Sequence, residues 1–219
     1  MSHRNFGEQV IWNSVTPVAV TSSTDATPIV VTATSHGLNT GDLVMINGHA
    51  TNIAANGIFK ITKTSANAFS LQNYVTGANI AGSGGGAGSG GVMVVAPKIL
   101  LVKDFTNVEL SFESSGSFNG TIKLAGSLGK PVVLASDKQS EDTPNFGATQ
   151  AIANPYQYVQ LINLDTAAAV NGATGITSAG TDLHTQYEVN INALKYLCPV
   201  LTAWSAGAFT LKALLTDNL

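Results

Sequence analysis

The chain reads as all-β, a small β-barrel module followed by an antiparallel β-sandwich. Three observations predict this. Apolar and β-branched residues gather in short runs with a period of two, Gly, Asn, Asp and Pro separate the runs, and helical periodicity is weak across all 219 residues. The best helical stretch, Ala148 to Ala153, is too short to hold alone and stops before Asn154-Pro155, where proline disfavours the α region for its predecessor.

The opening segment, residues 1–20, carries Phe6, Val10, Ile11 and Trp12. Large apolar side chains of this kind anchor interface cores. The segment therefore reads either as an arm crossing to a neighbouring subunit or as the sandwich's first strand. The barrel module is assigned to residues 21–97. In it, Ile29-Val30-Val31 with Thr32 and Thr34 suits a pleated, half-buried surface. The run His36-Gly37-Leu38-Asn39-Thr40-Gly41-Asp42 then reads as one tight reversal. Gly37 and Gly41 tolerate positive φ, Asn39 and Asp42 can bond their own backbone, and Leu38 tucks inward. A lone histidine before a turn glycine is more often a hydrogen-bonded anchor than a base or metal ligand, and His36 is read that way. Leu43 to Ile46 forms the next strand and Asn47-Gly48 ends it. Asn56-Gly57 turns the chain into Ile58 to Thr62, where Phe59 and Ile61 alternate with Lys60 and Thr62, and Phe69 and Leu71 begin another strand.

Gly82 to Gly91, GSGGGAGSGG, would lose the most backbone entropy on ordering and reads as a loop, 82–91. A phosphate-binding loop would end in Gly-Lys-Ser/Thr and open a helix. Here Val92 to Val95 follows as a strand, with Asn73 to Val75 as its expected partner. Pro97 marks the boundary to the sandwich, residues 98–219. Its strands are Ile99 to Val102, Val108 to Phe112, Gly120 to Leu124, Val132 to Leu134, Tyr158 to Leu164, Tyr187 to Ile191, Tyr196 to Leu201 and Phe209 to Leu215. An irregularity is expected near Asn163. The turn Ser205-Ala206-Gly207 makes a hairpin of the last two strands. Trp204, just before that turn, reads first as core or edge packing. If exposed beside Tyr156 and Tyr158, it would offer an aromatic face to sugar rings.

Composition narrows the function. The hydrophobic fraction of 44% is ordinary, whereas 11% charged residues is far below the usual quarter, so the surface relies on Ser, Thr, Asn and Gly. Such a surface suits a subunit packed against others. A net charge of −3 gives no footprint for a polyanion, and direct nucleic-acid binding is not expected. Cys198 is the lone cysteine, which excludes an intrachain disulfide and a multi-thiolate zinc site, and its apolar strand context reads as a buried, inert thiol. MSHRNFGEQVIW lacks the apolar core of a secretory signal, and no apolar run approaches the roughly 20 residues that span a bilayer. The expectation is a soluble protein made in the cytoplasm, with no membrane partner.

Chemistry is sparse. Asp182 and His184, two apart near Glu188, could face one way in a strand, but they read first as a solvated loop pair. Asp137, Glu141 and Asp142 could ligate a hard cation, yet they lack the spacing of an EF-hand and Lys138 sits among them. The four histidines share no spacing. No enzyme, cofactor or metal is expected.

The segments PIVVTATS, HGLNTGDLVMING, NGIFKIT and AFSL together resemble the small β-barrel of the first catalytic cysteine half-domain of ubiquitin-activating enzymes, in the form that recurs in virion proteins of tailed bacteriophages. In that setting the module is structural, and no ubiquitin chemistry travels with it. GSFNGTIKLAGSLG, YQYVQLINL and YEVNINALKYLCPVLTAWSAGAFTLKALLT resemble the β-sandwich of phage head and tail accessory proteins. Against the usual pattern, Asp137 to Pro155 and Ala167 to Leu183 look inserted. The resemblance implies a non-enzymatic, homo-oligomeric structural component of a virion, assembled in the host cytoplasm, with phage capsid or tail proteins as partners. Capsid decoration is the leading expectation, and a neck, tail or fibre accessory role is the alternative. A carbohydrate-binding module is the rival from another class, and a hydrolase built on Asp182 and His184 is a third.

Overall fold

A computed structural model describes residues 5–74, 76–83, 91–114, 117–127, 157–180, 183–192 and 194–216. The strands are, in order, β1 (Asn5–Val15), β2 (Val18–Ala19), β3 (Ser22–Ser23), β4 (Val30–Thr32), β5 (Leu43–Asn47), β6 (Gly57–Lys63), β7 (Ala68–Gln72) and β8 (Val92–Val95). They continue with β9 (Leu100–Leu101), β10 (Asn107–Ser114), β11 (Asn119–Ser127), β12 (Gln157–Tyr158), β13 (Leu161–Asn163), β14 (Ala169–Val170), β15 (Ile176–Ala179), β16 (His184–Asn190), β17 (Tyr196–Ala206) and β18 (Phe209–Thr216). A single 3-10 turn, Ile53–Ala55, is the only helical element among the described residues. The fold is all-β. The expected strand Val132 to Leu134, the helical stretch Ala148 to Ala153 and loop positions 84–90 lie outside the described residues.

The chain divides into two compact units. The described part of one is residues 17–96, a seven-stranded antiparallel sheet in the order β2-β8-β5-β6-β7-β4-β3. The stretch from Val18 to Ser23 pairs with β8 through β2 and with β4 through β3, so the sheet curls until both its ends meet in one piece of chain. Such closure removes exposed edges. Alternation supplies the core: Val31, Val44, Ile46, Phe59, Ile61, Phe69 and Leu71 are all buried inside it.

Two expectations within this unit are corrected. Val92–Val95 pairs with β5 and β2, not with Asn73 to Val75. Asn73 closes a turn of its own, its N–H donating to the Ala78 carbonyl and its carbonyl accepting from Gly77, which takes its backbone out of any ladder. Asn56-Gly57 does not itself turn the chain. Gly57 already pairs with Ile46 as the first residue of β6, and the reversal is made upstream by Gly48, at φ 79°, and the 3-10 turn.

The other unit is discontinuous, joining residues 5–16 to described residues from 97 to 216. It is a sandwich of a six-stranded sheet, β1-β18-β10-β16-β13-β14, and a second sheet, β12-β11-β17-β9, with β15 also pairing β11. Strict alternation of buried and half-buried residues runs along β10 and β18. An aromatic cluster fills the core: Trp12 meets Phe209 edge-on at 5.0 Å, and Phe209 lies 5.1 Å from Phe118 and 6.1 Å from Phe112. Of the two readings of the opening segment, the structure has the strand. Ile11 and Trp12 are 4% and 2% exposed, so these two expected interface anchors are spent in the unit's own core, while Val10 remains 48% exposed. Phe6 holds its register opposite Leu215. The expected single strand Tyr158 to Leu164 is in fact two. Tyr158 pairs with β11 in one sheet and Leu161 with β16 in the other, so the chain changes sheets between them. Asn163 ends the second piece by accepting from the N–H groups of Asp165 and Thr166, the irregularity expected there.

Candidate functional site

The corner from His36 to Asp42 is built from turn stereochemistry. Gly37 and Gly41 sit at φ 68° and 100°, where a side chain would be strained. Asp42 Oδ2 accepts from the Asn39 N–H at 2.8 Å, and the corner is hydrogen-bonded to β6 through Gly41 N–H to the Ile61 carbonyl and Ile61 N–H to the Asp42 carbonyl. His36 is 6% exposed. Its Nδ1 lies 3.1 Å from the Leu38 backbone N–H, which can only donate, so Nδ1 accepts and Nε2 carries the proton. Nε2 gives that proton to the Ser65 carbonyl at 3.1 Å, and the ring stands edge-on to Phe69 at 5.2 Å. Both ring nitrogens are therefore occupied with structure.

A second polar cluster in this unit has no counterpart in the sequence reading. Asn56 clamps the backbone of His49, its Oδ1 accepting from the His49 N–H and its Nδ2 donating to the His49 carbonyl, both at 2.8 Å. Asn52 Nδ2 donates to the Thr24 carbonyl at 2.9 Å and its Oδ1 accepts from the Ser83 N–H at 3.1 Å, two backbone contacts that fix the amide's orientation. The same Nδ2 donates to Ser23 Oγ at 3.1 Å. Ser23 Oγ therefore accepts from Asn52 and shares a second hydrogen bond with His49 Nε2, 2.6 Å away. In an open cleft such a pair is a nucleophile and its base. Here Ser23, His49 and Asn52 are 1%, 2% and 0% exposed, and the cluster ties the β5–β6 connection to the strands around it. His49, Asn52 and Asn56 recur at spacings of three and four, a faint signal; Ser23, far upstream, gave none.

The aromatic residues expected to gather do not share a face. Tyr158 pairs with Ala125 of β11 and Trp204 with Gly120. These positions have opposite parity along β11, whose own pairing with β15 is regular, so the two aromatics stand on opposite sides of the sheet. Tyr158 is half-buried, its ring carries the Lys123 ammonium 4.9 Å from the centroid, and burial pushes its phenol up from the ordinary value. Trp204, also half-buried, donates from Nε1 to the Gly207 carbonyl at 2.9 Å and so braces the β17–β18 turn. Tyr156 lies outside the described residues. Cys198 is fully buried, and burial pushes its thiol well above the usual value, which leaves it protonated and unreactive at neutral pH. His184 is exposed and pairs with Glu113 across the ladder, while Asp182, Asp137, Glu141 and Asp142 lie outside the described residues. Among the described residues no group of three or more His, Cys, Asp or Glu is arranged to hold a metal ion.

Charge concentrates on one surface, the outer face of the six-stranded sheet. Glu109 and Glu188 stand directly opposite each other there, next to the row that holds Lys212. The Lys212 ammonium is 2.7 Å from Glu113 Oε1 and 3.4 Å from Glu8 Oε1. The hydrogen bond to Glu113 is the chief reason its pKa is raised. This bridge ties β1 across β18 to β10.

No family model and no curated protein matches this chain. Among solved structures, the chain is similar to the crystal structure of the SPBc2 prophage-derived protein YomS, with a TM-score of 0.37 and 11% identity, covering 56% of this chain and 80% of that one.

Proposed function

We propose that the protein is a non-enzymatic structural component of a tailed-phage virion, acting as a capsid decoration protein that packs its neutral β-surfaces on neighbouring subunits. The observation that carries this reading is the use made of the motif from Pro28 to Leu71. The His36, Asp42 and Asn56 side chains shape the corner and loop of a curled sheet, the structural role that the resemblance to phage modules implies. The Ser23–His49 pair supports the same reading, since its hydroxyl–imidazole contact is closed off from solvent. Sparse charge suits a subunit that lives among others. Placement at the neck, tail or fibre is the second reading, favoured by the same features. A carbohydrate-binding face is disfavoured by the opposite orientations of Tyr158 and Trp204.

The test is cryo-EM of purified particles with the copy number of this chain. Hundreds of copies on the shell are expected for decoration. A dozen or fewer at one vertex would move the protein to the neck or tail, and its absence from particles would end the proposal.

A further inference from the structure

We propose that β1 is an exchangeable strand, and that the sandwich unit assembles with a second copy of this chain by each copy supplying β1 to the other. Four observations carry this. First, β1 is the edge strand of its sheet: its ladder runs along β18, and on the other side a single backbone bond, Lys98 N–H to the Ile11 carbonyl, is added. Second, that ladder is loosely stitched, with register irregularities between Phe6 and Gln9, Val10 and Trp12, and Trp12 and Val15. Third, β1 is cut off in sequence from the rest of its unit by residues 17–96 of the other unit, so the sandwich is completed by a strand that arrives from elsewhere in the chain. Fourth, the link out of β1 is the dipeptide Thr16-Pro17, with β2 starting at Val18. Proline fixes its own φ and drives its predecessor to an extended form, and short constrained hinges of this kind favour exchange over closure.

Exchange costs little because the contacts are the same in both arrangements. A β1 from the second copy would place its Ile11 and Trp12 in the same core and its Glu8 on the same Lys212 ammonium. What changes is which chain owns them. The proposal does not depend on the virion reading, since it concerns a property of the isolated chain.

The experiment uses the full chain with Cys198→Ala, which removes the native thiol. One version adds Gln9→Cys and another adds Ala213→Cys, residues that face each other across the β1–β18 ladder. Paired strand positions lie within the reach of a disulfide. The two versions are co-expressed, oxidised and run without reductant. Exchange is expected to give a cross-linked species of twice the chain mass that joins the two versions. Absence of that mixed species overturns the proposal, whatever forms within a single chain carrying both cysteines. If Ala213→Cys disturbs the core, the outward-facing pair Val10→Cys and Lys212→Cys reads the same ladder.

Discussion

At the scale of single residues, the side chains that look chemical are engaged in holding backbone. His36, Asp42, Asn52 and Asn56 each bond main-chain groups of neighbouring segments. Asn56 is the sharpest case, because it satisfies both the N–H and the carbonyl of His49, a residue 2% exposed. Asn56→Ala removes both of these bonds. A loss of about 2–3 kcal/mol is expected, read as a lower midpoint in urea unfolding, since each unsatisfied buried group costs roughly 1–3 kcal/mol. A loss below about 0.5 kcal/mol would mean that water replaces the amide. The sequence made His36 legible as an anchor because its partner Leu38 is two residues away. It hid the Ser23–His49 contact because 26 residues separate the two and no local pattern links them.

At the scale of elements, the alternation of β10 and β18 could be read directly from the sequence, and both strands lie where the pattern put them. The weakly patterned stretch after Ala167 hid β14 and β15, which hold their places by pairing with β13 and β11 rather than by apolar periodicity. The edges are managed consistently. In the sandwich β9, β12 and β14 are short, and the long edge strand β1 is irregular, which blunts pairing with a foreign strand. The Glu109–Glu188 pair runs against this economy, since like charges directly opposite destabilise a ladder. Glu188→Lys turns the repulsion into attraction. It is expected to stabilise the unit by roughly 0.2–1 kcal/mol, with a gain in Tm that shrinks as salt rises. An unchanged or lower Tm at low salt would show that the two carboxylates are too well solvated to interact.

At the scale of the whole molecule, each unit closes its own core, one around Phe59 and Phe69, the other around Phe112, Phe118 and Phe209. Among the described residues, the chain passes from one to the other at Thr16-Pro17 and Ala96-Pro97. Ile61→Val trims one methylene from the first core and is expected to cost about 0.5–1.5 kcal/mol. Hydrogen exchange should then speed up about 2- to 10-fold in β5, β6 and β7 while β10 and β18 keep their protection. Equal acceleration in both would show one cooperative unit. By itself, the sequence determined the fold class, the corner at His36 to Asp42 and the inert burial of Cys198, because period-two patterning, turn stereochemistry and apolar context act over a few residues. Only the tertiary structure decided that the opening segment is a strand of the later sandwich, that Val92–Val95 pairs with β5, and that Tyr158 and Trp204 face opposite ways. Those outcomes depend on which distant strands meet and in what register, and strand partners are chosen by the closure of a whole core rather than by any local pattern.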